Sequence, residues 1–106
     1  MGALDMSLIE SVVKSHHAQI GFCYERELSE TPALSGTMTV KFLIAKSGSV
    51  TRAETSLSTL NSPSLDECVN RRFLRMTFPP VEGGGIAVVK YQLEFTPPDS
   101  ASSQAL

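Results

Sequence analysis

The sequence predicts a small α+β domain in which two helices cover one face of a three-stranded antiparallel sheet. Three observations support this fold class: a hairpin pattern over residues 36–57, helical periodicity on both sides of that hairpin, and one further alternating strand near the end. The predicted element order is α-β-β-α-β. A chain of 106 residues is long enough to enclose one core and too short for a second domain.

The first helix is predicted over residues 6–29, where apolar residues recur at spacings of three and four. Asp5 or Ser7 can cap its start, and Pro32 prevents the helix from continuing. Gly21 lies in its interior, where glycine costs about 1 kcal/mol relative to alanine. We therefore expect another group to pack closely against Gly21.

The hairpin follows as two strands joined by a tight turn. Apolar and polar residues alternate along the first strand, so one row of side chains faces a core. Residues 45–49 supply the turn, with Gly48 suited to a positive φ. The second strand, residues 50–57, changes phase near its start, which predicts a bulge near Thr51 or Arg52.

The second helix is predicted over residues 63–76, with Ser62 as its cap and Pro63 in its first position. A glycine run at 83–85 then provides a hinge before the third strand, residues 86–95. The third strand follows the second through a helix, so a right-handed crossover places it beside the first strand. This gives the strand order 2-1-3, antiparallel throughout, with the second and third strands at the edges.

The predicted core combines one face of each helix with the inward rows of the strands. Its members are Ile9, Val13, Ile20, Val40, Phe42, Ile44, Leu65, Val69, Phe73, Val89, Tyr91, Leu93 and Phe95.

Composition and charge exclude several functional classes. The formal net charge of −2 argues against nucleic-acid binding through a broadly basic face. The local basic group Arg71, Arg72 and Arg75 is interpreted as a solvated helix face. No apolar run approaches the roughly 18 residues that span a bilayer, and the first residues lack the features of a signal peptide. Two explanations stay open: a cytosolic protein, or a domain whose targeting segment lies outside these residues.

Residues that could carry catalysis are few. His16 and His17 are adjacent, so on a helix they diverge by about 100° and cannot share one metal ion. Cys23 lies two turns from His16 and near the C-terminal end of its helix, where the helix dipole disfavours a thiolate. We therefore predict no catalytic residue, no metal and no cofactor. A small metal- or thiol-dependent enzyme is the alternative, and oxidised cysteines would count against its thiol-dependent form.

Several segments resemble the TonB C-terminal domain family. They are residues 46–50 (KSGSV), 60–66 (LNSPSLD) and 75–80 (RMTFPP), in the element order given above. Residues 20–28 (IGFCYEREL) and Cys68 are similar to the TonB-like domains that end the gliding-motility proteins of myxobacteria. The resemblance covers residues 9–95. Met76 departs from it, because many TonB-like domains carry Trp before the Phe-Pro-Pro element.

The resemblance implies a periplasmic domain of an inner-membrane-anchored, envelope-spanning protein, tethered by a segment outside this sequence. Such a domain passes force or signal to an envelope or outer-membrane protein or its periplasmic peptide. In TonB the last strand adds a partner's short peptide to the sheet, which here corresponds to residues 86–94. The expected organisation is a linker remnant at 1–4, the TonB-like domain at 5–96 and a disordered tail at 97–106.

A disulfide between Cys23 and Cys68 is predicted from the positions of the two residues. Each lies on the apolar stripe of its helix, and two helices on one sheet face must meet. The alternative is a pair of buried free thiols, because unpaired cysteine is often buried.

The predicted partner-binding surface is the outward row of the third strand with the large apolar residue beside it on the first strand. Its members are Leu43, Ile86, Val88, Lys90, Gln92 and Glu94. An edge strand leaves backbone groups unpaired, which can accept an added strand from a partner. Self-association into a homodimer through the same edge is one alternative. Another is that the apolar residues are simply scattered, or that the tail folds over them.

Overall fold

The computed structural model describes residues 5–81 and 83–97. Within them the chain forms three helices and a three-stranded antiparallel sheet of order β2-β1-β3, which confirms the predicted α+β architecture. The elements are α1 (Met6–Ser15), α2 (His17–Leu28), β1 (Gly36–Ile44), β2 (Val50–Ser58), α3 (Pro63–Leu74) and β3 (Ala87–Phe95). The expected linker at 1–4 and residues 98–106 of the expected tail lie outside the described residues.

The prediction of one continuous helix over residues 6–29 is wrong, because the helix is interrupted at His16. His16 has φ −106° and ψ 9°, and its N–H donates to the Val13 carbonyl at 3.0 Å. A straight 24-residue helix would extend about 36 Å, whereas the nine-residue strands beneath it span about 30 Å. Apolar residues of both segments face the core, with Val13 and Ile20 buried on either side of the interruption.

The helix caps follow the sequence signals. Asp5 accepts a hydrogen bond from the Ser7 N–H at 3.0 Å, and Ser62 accepts one from the Leu65 N–H at 3.2 Å. Pro63 occupies the first position of α3. This helix ends at Leu74, two residues earlier than predicted.

The two pairings of β1 differ in regularity. The β1–β2 pairing contains two register shifts. One leaves Thr51 without a partner and confirms the predicted bulge; the other leaves Ser56 without a partner and was not expected. In contrast, β1 and β3 pair over nine consecutive residues without a shift. The third strand begins at Ala87 rather than at Ile86.

The core lies between the helices and one face of the sheet. Every predicted core residue is buried except Tyr91, which is partly exposed and packs against the core. Burial raises the pKa of the Tyr91 phenol, and the negative charge of Glu10 raises it further. Further buried residues, absent from the predicted core, are Cys23, Tyr24, Met38, Val50, Leu60, Met76, Phe78, Val81 and Ala87.

Two glycines behave differently. Gly48 has φ +100° in the hairpin turn, and a Cβ there would overlap the Phe78 carbonyl, so the turn requires glycine. Around Gly21, no heavy atom lies within 4 Å of the position that a Cβ would take. The expectation of close packing against Gly21 is therefore wrong. This position borders a shallow groove between α2 and the end of β3, where a methyl group has space.

None of the helices in the described part of the chain is both long enough and apolar enough to cross a membrane.

Candidate interaction surface

A disulfide joins the two helices that pack side by side. Cys23 of α2 and Cys68 of α3 are bonded, with their Cα atoms 5.7 Å apart, as predicted. Cys23 is buried and Cys68 is partly exposed. Because both sulfurs are in this bond, neither cysteine is a nucleophilic thiol in the structure.

The histidines do not assemble into a site. His16 is partly exposed at the interruption between α1 and α2, and His17 is exposed at the start of α2. Across residues 5–81 and 83–97, no group of three or more His, Cys, Asp or Glu side chains is arranged to hold a metal ion.

The structure places five of the six predicted partner-binding residues on the open face of the sheet and the sixth, Ile86, just before β3. Val88 is 58% exposed and lies directly opposite Leu43, its register partner on β1. Ile86, just before β3, is 54% exposed. The remaining predicted members, Lys90, Gln92 and Glu94, are exposed along β3.

A shallow groove extends this surface across β1 to β2. It has a volume of about 380 Å³ and is lined by Leu43, Val88 and three charged residues, Lys41, Arg52 and Glu54. Arg52 and Glu54 form an ion pair, with Nε and Oε1 3.4 Å apart. None of these three charged residues belongs to the surface predicted from the sequence. Arg52 pairs with Leu43 and Glu54 with Lys41, so the β1–β2 register places both on the same face.

The two sheet edges differ in how well they could accept another strand. The β2 edge is distorted by bulges at Thr51 and Ser56, and just before it Ser49 forms a bridge with Thr77. Bulges and short covering segments are the usual means of blocking an edge. Among the described residues, the β3 edge has neither feature, and no strand pairs with its outer side. Of the two edge strands, β3 is therefore the regularly paired one.

Comparisons with known proteins do not assign the chain to a family. No protein-family model, no curated protein and no solved structure matches the chain. The resemblance to TonB-like domains therefore rests on the residues quoted for it. What the surface does has to be inferred from its geometry.

Proposed function

We propose that residues 5–96 form a protein-interaction module that adds an extended segment of a partner to the free edge of β3. The single observation that carries this proposal is the β3 edge itself, nine residues long, regularly paired with β1 on one side and without a strand on the other among the described residues. Such an edge presents alternate N–H and C=O groups outward. An added strand satisfies them, so main-chain hydrogen bonds supply affinity.

Side chains on the open sheet face supply specificity. Val88 and Ile86 are exposed beside this edge, and Leu43 lies next to Val88 on β1, so apolar side chains of the added segment can pack against β3 there. Lys90 and Glu94 lie further along β3 and are exposed. Charges on an edge strand disfavour indiscriminate pairing, so they restrict the module to partners with complementary charges.

The resemblance supplies the cellular setting of the proposal. A TonB-like module acts in the periplasm, as the end of an inner-membrane-anchored protein of an envelope-spanning machine for energy transduction, here of the gliding-motility kind. Its partner is then an envelope or outer-membrane protein or the periplasmic peptide of one. The Cys23–Cys68 disulfide supports this setting, because disulfides persist in oxidising compartments such as the periplasm.

A site-specific photo-crosslinker at position 88 tests the proposal in cells. Position 57 serves as the control, since Leu57 is 67% exposed on the same sheet face but belongs to the distorted β2 edge. We expect an envelope protein to be crosslinked from position 88 and not from position 57. Peptides from that protein are then titrated into isotope-labelled domain, and backbone amide shifts should concentrate on residues 86–94.

Three outcomes would contradict the proposal. In the first, the shifts concentrate on α3 while residues 86–94 stay silent. In the second, Val88→Asp binds the peptide as tightly as the unaltered domain does. In the third, position 88 crosslinks only to a second copy of the chain, which would establish homodimerisation through the edge instead of recognition of a foreign partner.

A further inference from the structure

A second surface lies on the helical layer, on the side of the molecule away from the open sheet face. It is a groove of about 450 Å³ between α2 and α3. The disulfide forms part of its wall, together with Phe22, Glu25 and Arg26 from α2 and Arg72 from α3. None of these four side chains belongs to the surface proposed for strand addition.

Phe22 gives the groove an apolar anchor that the fold itself does not use. It is 69% exposed, more than any other large apolar residue of the described chain. The next residue, Cys23, is buried and fixed by the disulfide, so the helix must direct Phe22 outward. Exposed aromatic side chains beside a concave surface are typical anchor points in protein recognition.

The charged side chains that line the groove around Phe22 have a net positive charge. Arg72 has no ion pair with another described residue, and Arg26 has only a long contact, with its Nε 4.0 Å from a Glu27 carboxylate oxygen. Glu27 is already engaged, since it accepts hydrogen bonds from the Ser62 and Ser64 hydroxyls at 3.3 and 2.7 Å. Two arginines therefore line the groove together with a single acidic residue, Glu25.

The groove is held in place before any ligand arrives. The disulfide fixes the middle of α2 to α3, and Glu27 connects the end of α2 to the start of α3 through the two serines. A site whose walls are already fixed loses little conformational entropy when it binds. Arginine also suits carboxylate recognition, because its planar group donates two parallel hydrogen bonds.

We infer that this groove binds an acidic peptide segment of a partner protein, with an apolar side chain of the peptide against Phe22 and its carboxylates on Arg26 and Arg72. The domain then has two separate contact surfaces, one for strand addition and one for an acidic linear segment. Binding at the groove does not depend on β3.

Selection from a phage-displayed library of random peptides tests this inference. The oxidised domain is the bait, and the enriched peptides are counter-selected against a Phe22→Ala/Arg72→Glu variant. We expect the peptides lost in counter-selection to be rich in Asp and Glu around one large apolar residue. For a synthetic peptide of that sequence, Arg72→Glu should weaken binding about tenfold or more, equivalent to roughly 1.4 kcal/mol.

The matched control is Arg71→Glu, which makes the same charge change on α3 at a residue outside the groove that pairs with Glu67. Amide shifts from the synthetic peptide should surround Phe22, Arg26 and Arg72. Enriched peptides that lack carboxylates, or that Arg71→Glu weakens as much as Arg72→Glu, would overturn the inference. So would binding of the domain to phosphatidylglycerol vesicles that Arg72→Glu abolishes while no acidic peptide is enriched. Val88→Asp should abolish strand addition at β3 and leave peptide binding at the groove unchanged. The two proposals can therefore be contradicted independently of each other.

Discussion

At the scale of single residues, the two glycines Gly21 and Gly48 show how differently the same residue type acts in one fold. Gly21 lies inside α2, and the position that a Cβ would take there is open. Gly21→Ala should therefore raise the free energy of unfolding by about 0.5–1 kcal/mol, since alanine restricts the unfolded chain and favours the helix. Urea unfolding followed by circular dichroism measures the change. A loss of stability would mean that β3 lies closer to α2 than the structure has it.

Gly48→Ala should act in the opposite direction. The positive φ strains any other residue, and the added methyl group would collide with the Phe78 carbonyl oxygen. The backbone N–H of Phe78 donates to the Gly48 carbonyl at 2.8 Å, so the two segments are held close together. We expect a loss of about 2 kcal/mol or more in the same urea experiment. Because the turn and residues 77–81 are in contact, amide shifts should change in both segments. An unchanged midpoint would contradict the turn geometry.

Asp66 gives the domain a predictable response to pH. Its Oδ1 and that of Asn70 are buried without a hydrogen-bond partner among the described residues. Asn70 donates to the Thr55 hydroxyl at 3.0 Å. Burial raises the pKa of the Asp66 carboxyl above 3.8, and a hydrogen bond with Thr55 opposes this only in part. The folded state therefore holds the Asp66 proton more tightly than the unfolded state does.

Because the pKa of Asp66 is higher in the folded than in the unfolded state, its contribution to stability is largest below pH 3.8. This contribution falls as pH rises through the raised folded pKa. Above that pKa, Asp66→Asn should be more stable than the unaltered domain, and the advantage should disappear in more acidic solution. Unfolding free energies of the two proteins across this pH range give the difference directly, with other carboxylates cancelling. An Asp66 carboxyl that titrates at or below pH 3.8 by NMR would contradict the prediction.

At the scale of elements, the sequence was most informative where one element makes its own pattern. Alternation along β1 and β3 and the Ser62–Pro63 start of α3 predicted those elements within two residues. The interruption at His16 was not predictable in this way. Buried residues continue in phase on both sides of it, so the periodicity of a broken helix and of a straight one is the same.

The two surfaces could be predicted only in part, because each depends on how separate elements pair or pack. The row on β3 and Lys41 on β1 follow from alternation, but the faces of Arg52 and Glu54 depend on the β1–β2 register, which the bulges shift. A polar run such as residues 54–56 (ETS) carries little phase information, so the bulge at Ser56 leaves no signal. The groove at Phe22 is formed between two helices. Only their packing places Arg26 and Arg72 together.

The disulfide is the covalent connection between elements, and its loss should be measurable. Closing a loop across a sequence separation of 45 stabilises a domain by about 4 kcal/mol in the chain-entropy model. We expect reduction with a phosphine to lower the free energy of unfolding by up to about that amount. The Cys23→Ala/Cys68→Ala variant should unfold at the same urea concentration whether or not the phosphine is present. If reduction shifts both proteins equally, the effect does not come from this bond.

Intact mass after alkylation checks the state of the cysteines. Unfolded but unreduced protein should take up no alkyl groups, and reduced protein should take up two. Two alkyl groups on unreduced protein from an oxidising compartment would contradict the disulfide.

At the scale of the whole molecule, one core supports two surfaces on opposite layers. Phe42 lies at the centre of that core: its side chain is fully buried, and its ring packs 5.1 Å from that of Phe73 on α3 and 5.6 Å from that of Phe78. Tyr24 packs 5.0 Å from Phe95 and so joins α2 to β3. The helical groove and the open sheet face therefore rest on the same buried contacts. We expect them to be lost together when the domain unfolds.

Phe42→Ala tests whether the helical layer and the sheet unfold together. Truncating a fully buried Phe removes its transfer free energy and leaves a cavity, so we expect a loss of about 3–5 kcal/mol. The control is Leu57→Ala, at a residue 67% exposed, for which the change should stay within about 0.5 kcal/mol. The chain has no Trp, so tyrosine fluorescence reports on Tyr24 and Tyr91 while circular dichroism reports on the helices and strands. Both signals should shift to the same lower urea midpoint, because one core unfolds as one unit.

A cost below 1 kcal/mol for Phe42→Ala would mean that the register of β1 is wrong. Separate midpoints would mean that the two layers are stabilised independently.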